Sequence, residues 1–472
     1  MLKPGAYIKQ GAMNWQVFQQ TDGKADIHLS GISKGWPDDE TGTVYTRVVC
    51  EDSGMPIVNW QTAEYKEGTQ WRTVLRGVPV GGLYRIETCL MLPDSCQIEW
   101  AARGDMIHHI GVGDLFIIAG QSNAAGYGKD FVSDPPELGV HLLRNSGLWD
   151  MASHPLNESA GTDNKANEEF CNPGHSPYLS FAKRLKRTLG YPIGLLATAL
   201  GGSPLSAWNP EEDGVLYNNM QDVIASAGGK IKAVLWYQGC SDAKQELCKT
   251  YLRRFGTMVE RLRLDLGENT PFITTQINRD VRSATDEINL AWSMVREAQR
   301  QAAKHLEDVY VIPTLDLGLS DPIHNSASGN ISLGERVAAS ALKNIYHKPF
   351  GYDAPDITHA RQTTADEVEL VFAPVLDHLY IFEEGDSVFE PYVRHLPFVL
   401  EDTNGTLPLT GCIIKGDTII LRTGRPLSGS AMVSAGAGQN PPGRMPIDAA
   451  TRTPILAFYQ VKVEEINDEK ET

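Results

Sequence analysis

The chain has 472 residues, of which 42% are hydrophobic, and this length exceeds one ordinary core, so it predicts two or three domains. The formal net charge of −17 disfavours nucleic acid and anionic membrane surfaces as partners, because like charges repel. No window approaches the roughly 20 apolar residues of a membrane span, and the first residues lack the apolar core of a signal peptide. The sequence therefore predicts a cytoplasmic protein, or a secreted one if a leader has been trimmed; it does not predict an oligomeric state.

Seven cysteines are scattered along the chain, at positions 50, 89, 96, 171, 240, 248 and 412. An odd and dispersed set in a long chain is typical of free thiols. Cys89 and Cys96 are close enough to pair across a short loop, but we expect them to stay reduced.

Three kinds of sequence pattern follow one another along the chain. In 1–110, short alternating runs are broken by turn residues, which predicts a β-sandwich module. In 111–350, apolar strands alternate with helical patterns, which predicts an α/β domain with a parallel sheet between layers of helices. In 351–472 the β pattern returns, and we expect a second β-rich module there.

Within 111–350 the sequence predicts five strands and four helices. The strands are apolar nearly throughout, as expected where both faces of a sheet are covered: 114–119, 192–200, 231–237, 271–277 and 309–315. The helices, two of which show a clear apolar stripe, are predicted at 178–190, 246–266, about 287–305 and 333–346.

The first chemically informative segment is Gly120-Gln-Ser-Asn123, which directly follows the first of these strands. Ligands bind outside the carboxyl ends of parallel strands, so Ser122 is placed where a nucleophile would be useful. The alternative is that Ser122 only caps the next helix, a common role for serine. Gln121 and Asn123 flank the serine and are candidate substrate contacts.

The second segment is Asp321-Pro-Ile-His324, in the loop after the last predicted strand. A serine nucleophile needs a base, and the base needs a partner that fixes its tautomer. His324 and Asp321 can supply both from one loop. Two alternatives remain open: Asp321 caps the following helix, or Asp316 is the partner of His324.

Two further segments follow the second and third strands. Gly201 and Gly202 permit close approach of backbone amides, and Gln238 ends the strand that precedes Gly239 and Cys240. Acyl transfer needs donors aimed at the developing oxyanion, so these residues are candidates for that role. Plain turn glycines and a satisfied polar group at a strand end are the alternatives.

Together the segments GQSN, GGSPLSAW, WYQGCSD and DPIH resemble the SGNH-type hydrolases, in particular the branch of sialate O-acetylesterases and acetyl-xylan esterases. The similarity extends to VREAQRQ (295–301) and to β-rich stretches near both ends, so it covers most of the chain. It implies a three-layer α/β/α, flavodoxin-like catalytic domain over 111–350, flanked by β-sandwich or jelly-roll-like modules at 1–110 and 351–472.

The resemblance also implies the role of each site residue. Ser122 is the nucleophile and supplies its own amide to the oxyanion hole, with Gly202 or Gly201 adding another. Gln238 stands where the wider superfamily has an asparagine. His324 is the base and Asp321 its partner.

The expected activity is hydrolysis of acetyl esters on sugar hydroxyls, in O-acetylated sialic acid or in acetylated xylan and related polysaccharide, without a metal or organic cofactor. One alternative is a carbohydrate-binding protein with a degenerate hydrolase core. Another serine hydrolase such as a lipase is disfavoured because the Gly-x-Ser-x-Gly elbow is absent.

The sequence departs from the family pattern at Cys240, where a glutamate is usual, and at Ala124, where methionine is common.

Histidines are common metal ligands, and tryptophans often stack on sugar rings. His108 and His109 are adjacent, and neighbours on an extended strand point to opposite faces, so we expect no shared metal ion. Trp236 lies on a strand and is expected in the core. Trp208, in a loop after the two glycines, is the candidate for contact with a sugar ring.

Overall fold

The computed structural model describes residues 3–35, 42–93, 97–381 and 396–465. Among these residues no helix combines the length and the apolar character that crossing a membrane requires. Cys50, Cys89, Cys171, Cys240 and Cys248 carry free thiols. Cys96, the other half of the pair considered above, lies outside the described residues.

The amino-terminal region is built from antiparallel strands around a core that includes Ile27, Leu29 and Ile86. Along the third strand buried and more exposed residues alternate, so one face of the sheet packs inward. The strands are β1 (Gly5–Gln10), β2 (Val17–Gln19), β3 (Lys24–Lys34), β4 (Thr43–Cys50), β5 (Pro56–Thr62), β6 (Glu64–Glu67), β7 (Gln70–Pro79) and β8 (Gly81–Met91). One sheet has the order β1-β3-β7-β6, and β4 joins β5 and β8 in the other.

The central region contains a parallel sheet. Its strands are β9 (Ala102–Gly120), β10 (Val140–Leu143), β11 (Trp149–Met151), β12 (Ile193–Ala197), β13 (Ala233–Tyr237), β14 (Phe272–Thr275) and β15 (Val309–Ile312). They lie in the order β11-β10-β12-β9-β13-β14-β15. All neighbours are parallel except β10 and β11, which are antiparallel. The five predicted strands are all present, and β10 and β11 are additions.

β9 connects the first two regions without a break. Its first part pairs antiparallel with β8, and its last part pairs in parallel with β12 and β13. The predicted domain boundary between residues 110 and 111 falls inside this 19-residue strand. A boundary there is therefore crossed by a continuous strand, and the domain division stays a prediction.

Seven α-helices accompany the central sheet. They are α1 (Ser122–Ala125), α2 (Tyr178–Leu189), α3 (Leu205–Trp208), α4 (Val215–Ser226), α5 (Gln245–Leu266), α6 (Asp286–His305) and α7 (Ala327–Asn344), and short 3₁₀ turns span Ile98–Trp100 and Cys240–Asp242. α2 packs against α7, and α5 packs against α6.

The start of α7 differs from the prediction. It begins at Ala327 rather than at 333, because Ser326 is its N-cap and the Ser326 Oγ accepts the Gly329 amide at 3.0 Å. This places the amino end of α7 directly after the Asp321–His324 loop.

The carboxyl-terminal region is again built from strands, around a core that includes Leu370, Phe372 and Leu400. Its strands are β16 (Asp356–Thr364), β17 (Glu367–Ala373), β18 (Leu379–Tyr380), β19 (Phe398–Asp402), β20 (Gly405–Thr406), β21 (Leu409–Lys415), β22 (Thr418–Thr423), β23 (Ala431–Ala435), β24 (Ile447–Asp448) and β25 (Phe458–Glu464). Eight form the sheet β20-β19-β23-β25-β16-β17-β22-β21, and β18 pairs with β24. β25 also packs against α6.

Candidate active site

The site is built at the carboxyl end of β9, where the chain turns sharply into α1. Gly120 has φ +127°, and a side chain there would put Cβ 2.3 Å from the Tyr237 carbonyl oxygen, so only glycine fits. The Gln121 amide donates to that same carbonyl at 2.9 Å. These contacts join the ends of β9 and β13 and place Ser122 at the first position of α1.

Ser122, His324 and Asp321 form one hydrogen-bonded chain. His324 Nε2 lies 2.9 Å from Ser122 Oγ, and His324 Nδ1 lies 2.6 Å from Asp321 Oδ2. The other carboxylate oxygen of Asp321 accepts the amides of Ile323 at 2.9 Å and of His324 at 2.8 Å. Burial opposes ionisation of Asp321, but these hydrogen bonds outweigh it and hold its pKa below the usual value. The structure thus brings together the three residues predicted from the sequence.

The alternative partner Asp316 lies elsewhere. Its carboxylate pairs with Arg336, with Nη1 at 2.8 Å and Nη2 at 2.5 Å from the two oxygens. Between the two aspartates, the structure therefore places Asp321 against His324.

Asn123 connects the nucleophile's helix to the loop that carries the histidine. Its Oδ1 accepts the Asn325 amide at 3.0 Å, and its Nδ2 donates to the Ile323 carbonyl at 3.3 Å. The side chain is buried between the two segments. Asn123 was predicted to contact substrate, but these bonds give it a different task, which is to hold His324 over Ser122.

Gln121 similarly connects α1 to the loop after β13. Its Oε1 accepts the Gly239 amide at 3.0 Å and the Ser241 amide at 3.3 Å. The side chain is buried. Its carbonyl oxygen is therefore committed to the protein, although the sequence suggested a substrate contact.

The two glycines after β12 have different hydrogen-bonding states. The Gly201 amide donates to Glu169 Oε1 at 3.0 Å and is therefore occupied. Within the described ranges, the amides of Gly202 and Ser122 have no hydrogen-bond acceptor. Gly202 is exposed and has φ +70°. Of the two glycines, Gly202 is the one with an amide free for an oxyanion.

Gln238 does not have the surroundings of an oxyanion donor. It is fully buried, and its Nε2 donates to the Ser203 carbonyl at 3.2 Å and to Asp242 Oδ2 at 2.6 Å. Both amide hydrogens are thus used. Asp242 also receives the Leu205 amide at 2.8 Å and Arg254 Nη1 at 2.9 Å. Gln238 therefore does not lie as the predicted donor to substrate would: it supports the start of α3 through Asp242.

This arrangement makes Gln238→Ala a test of stability more than of catalysis. The change leaves a cavity and removes a donor from the buried Asp242 carboxylate. We therefore expect the free energy of unfolding to fall by about 2–4 kcal/mol. Thermal unfolding and kcat are measured on the same protein. A fall in kcat of about 10²–10³-fold without a change in Tm would instead restore the oxyanion role.

Trp208 is also placed differently from the prediction. It is completely buried, its Nε1 donates to Ser203 Oγ at 3.0 Å, and its ring meets Trp236 edge to face at 5.3 Å. A sugar ring cannot reach it. The segment after the two glycines forms the short helix α3 and turns this side chain inward, whereas Trp236 lies in the core as predicted.

Cys240 occupies the position at which the family pattern has glutamate. Desolvation raises the pKa of its thiol to about 12, so it is not a nucleophile at neutral pH. The neighbouring charge is Arg296, which is buried. Among the residues that the structure describes, it donates to the backbone carbonyls of Ile277, Asn278, Gly436, Gly438 and Gln439. Backbone oxygens thus satisfy this guanidinium without an acidic side chain.

His108 and His109 lie closer together than predicted. Their Nδ1 atoms lie 3.2 Å and 2.8 Å from the two oxygens of one carboxylate, Glu51. The expectation that they face opposite sides was wrong, because His109 has φ +59° and breaks the alternation of the strand. Glu51 serves as their shared hydrogen-bond partner.

A second cluster has a spacing that could suit a metal ion. Ligand atoms of Asp134, His154 and His175 lie within 4.8 Å of one another. Lys183 Nζ, however, contacts the Asp134 carboxylate directly, and Ser176 donates its amide to His154 Nδ1 at 3.3 Å. An ammonium group already neutralises the only anion of the cluster, so these residues do not fit a cation site.

Two buried residues beside the site had no signal in the sequence. The Tyr127 ring stacks on the His324 ring with centroids 4.9 Å apart, and the Tyr127 hydroxyl donates to Glu169 Oε2 at 2.6 Å. Neither residue belongs to the four motifs. Only their position in space identifies them.

A serine, a histidine and an aspartate joined by hydrogen bonds in this order are the arrangement that serine hydrolases use. Comparison with known proteins identifies the family. Residues 112–343 match the family model described as carbohydrate esterase, sialic acid-specific acetylesterase. The chain belongs to this carbohydrate esterase family.

Individual relatives agree with this assignment. A probable carbohydrate esterase of Arabidopsis thaliana is 32% identical over 254 residues, which are 49% of this chain and 91% of that protein. The human sialate O-acetylesterase is 26% identical over 210 residues, 36% of this chain and 38% of that protein. A carbohydrate acetylesterase of Xanthomonas citri shares the fold over 96% of this chain and 99% of that one, with a TM-score of 0.67 at 20% identity.

Proposed function

We propose that this protein removes acetyl groups from sugar hydroxyls through an acetyl-serine intermediate. The observation that carries the proposal is the continuous chain from Asp321 through His324 to Ser122, with links of 2.6 and 2.9 Å. These are the distances at which proton transfer between such groups takes place. A degenerate core that only binds carbohydrate has no need of this alignment.

In the first half of the reaction Ser122 Oγ attacks the acetyl carbonyl while His324 Nε2 takes its proton. Asp321 accepts a hydrogen bond from the Nδ1–H group of His324, which fixes the tautomer and stabilises the imidazolium that forms. The amides of Ser122 and Gly202 donate to the oxyanion, where charge is larger than in the ground-state ester. His324 then returns the proton to the sugar oxygen, and the sugar leaves as an alcohol.

In the second half a water molecule replaces the sugar. His324 takes a proton from the water, hydroxide attacks the acetyl carbon, and the same two amides hold the oxyanion. Collapse of this intermediate returns the proton to Ser122 Oγ and releases acetate. Each proton transfer in this scheme is carried by a named group of the chain.

The proposal includes the domain division and the fold type. The catalytic unit spans 111–350 as a three-layer α/β/α domain of the SGNH type, with β-rich modules at 1–110 and 351–472. Support comes from the parallel order of β12, β9, β13, β14 and β15, with the four site segments following β9, β12, β13 and β15. Separate hydrophobic cores in the amino-terminal, central and carboxyl-terminal regions also support it.

The substrate is an acetylated carbohydrate, either O-acetylated sialic acid or acetylated xylan and related polysaccharide. Support for the first comes from the name of the family model and of the human relative. Release of acetate from acetylated sialic acid and from acetylated xylo-oligosaccharides, compared at equal ester concentration, distinguishes the two. Release from neither, by folded protein, would contradict the proposal.

The mechanism predicts that activity falls on the acid side. His324 must be neutral to accept the serine proton, so kcat/KM declines as the pH falls below neutral. Asp321 does not cause this decline, because its lowered pKa keeps it ionised there. A kcat/KM profile on an aryl acetate measures the effect. A rate that stays flat well below pH 5 would rule out a histidine base.

A further inference from the structure

Glu169 is a buried carboxylate directly behind the candidate site. It is only 3% exposed, and each oxygen accepts one hydrogen bond: Oε2 from the Tyr127 hydroxyl at 2.6 Å and Oε1 from the Gly201 amide at 3.0 Å. Within the described ranges no cationic side chain pairs with it. Burial of an unpaired carboxylate costs free energy, and here it raises the pKa of Glu169. Because burial of this carboxylate lowers the stability of the fold, we expect it to have a function.

The first hydrogen bond acts on the oxyanion hole. By occupying the Gly201 amide, Glu169 fixes the turn in which Gly202 presents the free amide. A side chain at Gly201 would put Cβ 2.8 Å from Glu169 Oε2, so glycine permits this close approach. On the other side Ser241 Oγ donates to the Gly202 carbonyl at 3.0 Å. The peptide groups on both sides of the free amide are therefore held.

The second hydrogen bond acts on the base. Tyr127 is buried, and its ring lies nearly parallel to the His324 ring, with 24° between the planes and 4.9 Å between the centroids. Because Glu169 holds the Tyr127 hydroxyl, the tyrosine ring is fixed. It limits rotation of the imidazole away from Ser122.

We propose that Glu169 is a positioning residue that aligns the Gly202 amide and the His324 ring over one acetyl carbonyl. This inference rests on the proposed esterase mechanism and extends it to a residue outside the four motifs. Glu169 touches no reacting atom. It acts through Gly201 on one side and through Tyr127 on the other.

The chemistry of the two neighbours determines which replacements of Glu169 can keep their hydrogen bonds. The Gly201 amide can only donate, so it requires an oxygen. The Tyr127 hydroxyl can donate or accept. In Glu169→Gln the amide oxygen can keep the Gly201 bond while the NH₂ group donates to the tyrosine, whereas Glu169→Ala loses both bonds.

The test compares Glu169→Ala, Glu169→Gln and Tyr127→Phe in the full chain, using 4-nitrophenyl acetate. Glu169→Ala is expected to lower kcat by about 10²-fold, the effect of losing an oxyanion donor, with KM changed less than about twofold. Glu169→Gln and Tyr127→Phe keep the Gly201 bond and are expected to lose about two- to tenfold. Glu168→Ala removes the same charge from a half-buried neighbour, paired with Lys165, and is the matched control.

A boronic acid that forms a tetrahedral adduct with Ser122 gives a second readout, which a merely structural role would not move. Its affinity is expected to fall in parallel with kcat across the series, because the adduct uses the oxyanion hole. Active-site titration counts the folded enzyme. Unchanged kcat per titrated site in Glu169→Ala would overturn the inference, as would a loss in Glu168→Ala of equal size.

The outcomes also separate this inference from the mechanism on which it rests. If the wild-type protein does not hydrolyse the ester, or does so without Ser122, the proposed function fails. If hydrolysis depends on Ser122 but kcat is unchanged in the Glu169 variants, the positioning role alone fails. If Glu169→Ala does not fold, the two milder variants decide: an unchanged kcat in both Tyr127→Phe and Glu169→Gln would overturn the inference.

Discussion

Replacement of Ser122 by alanine is expected to lower kcat on an aryl acetate by about 10⁶-fold, which leaves only the contribution of binding and of the oxyanion hole. The reason is that covalent catalysis is lost with the serine hydroxyl. The nearby thiol of Cys240 does not replace it, because the pKa of that thiol is raised to about 12. Initial rates with titrated enzyme measure the effect. Retention of most of the activity would contradict the whole mechanism.

The fold is expected to survive this change. Ser122 loses only the contact of its hydroxyl with His324 Nε2, while the backbone bonds of α1 to Gln121 remain. Tm should therefore stay close to that of the wild type. Ser332→Ala, an exposed serine on α7, is the control, and it is expected to change neither kcat nor Tm.

Much of the fold around the site could be predicted from the sequence. Strands covered on both faces of a sheet are apolar throughout, so the runs that became β12, β13, β14 and β15 were visible, with ends too long by a few residues. β10 was missed because the buried His141 interrupts its apolar run, and β11 because it has only three residues. α4 was missed because Asn219 and Gln221 interrupt its apolar stripe.

The triad could be predicted because its parts are local. Asp321 and His324 lie three residues apart in one loop, which follows β15. Ser122 follows β9, and the carboxyl ends of these two strands lie at the same edge of the sheet. The roles of Gln238 and Trp208 could not be predicted in this way. Where a side chain at a strand end points depends on partners distant in sequence, and both of these residues turn inward, onto Asp242 and onto Ser203.

Backbone conformation also limited what could be predicted from the sequence. The prediction for His108 and His109 assumed regular alternation along a strand, and a single positive φ at His109 overturned it. Glu169 shows the same limit in another form. A glutamate in a long loop has no periodicity and no motif, and only the fold brings it close to Gly201 and Tyr127.

The second large effect is expected for Asp321→Asn, which should lower kcat by about 10⁴-fold. Asparagine can still accept the amides of Ile323 and His324 through its oxygen, so the loop keeps its shape. Its NH₂ group, however, then faces His324 Nδ1 and forces the proton onto Nε2. A protonated Nε2 cannot accept the hydrogen of Ser122, so the base is present in the wrong tautomer. Steady-state kinetics at a pH where wild-type activity is maximal measure the loss.

Asp316→Asn is the matched control, because it makes the same substitution five residues earlier and near the same loop. This change weakens the ion pair with Arg336, whose side chain is 9% exposed while that of Asp316 is 27% exposed. We expect a loss of stability of about 1–3 kcal/mol, between the values for exposed and for buried pairs, and kcat close to that of the wild type. Asp321→Asn should therefore lower kcat, whereas Asp316→Asn should lower Tm. If Asp316→Asn were instead the inactive enzyme and Asp321→Asn remained active, Asp321 would not orient His324, and the hydrogen bond of 2.6 Å between them would be without catalytic consequence.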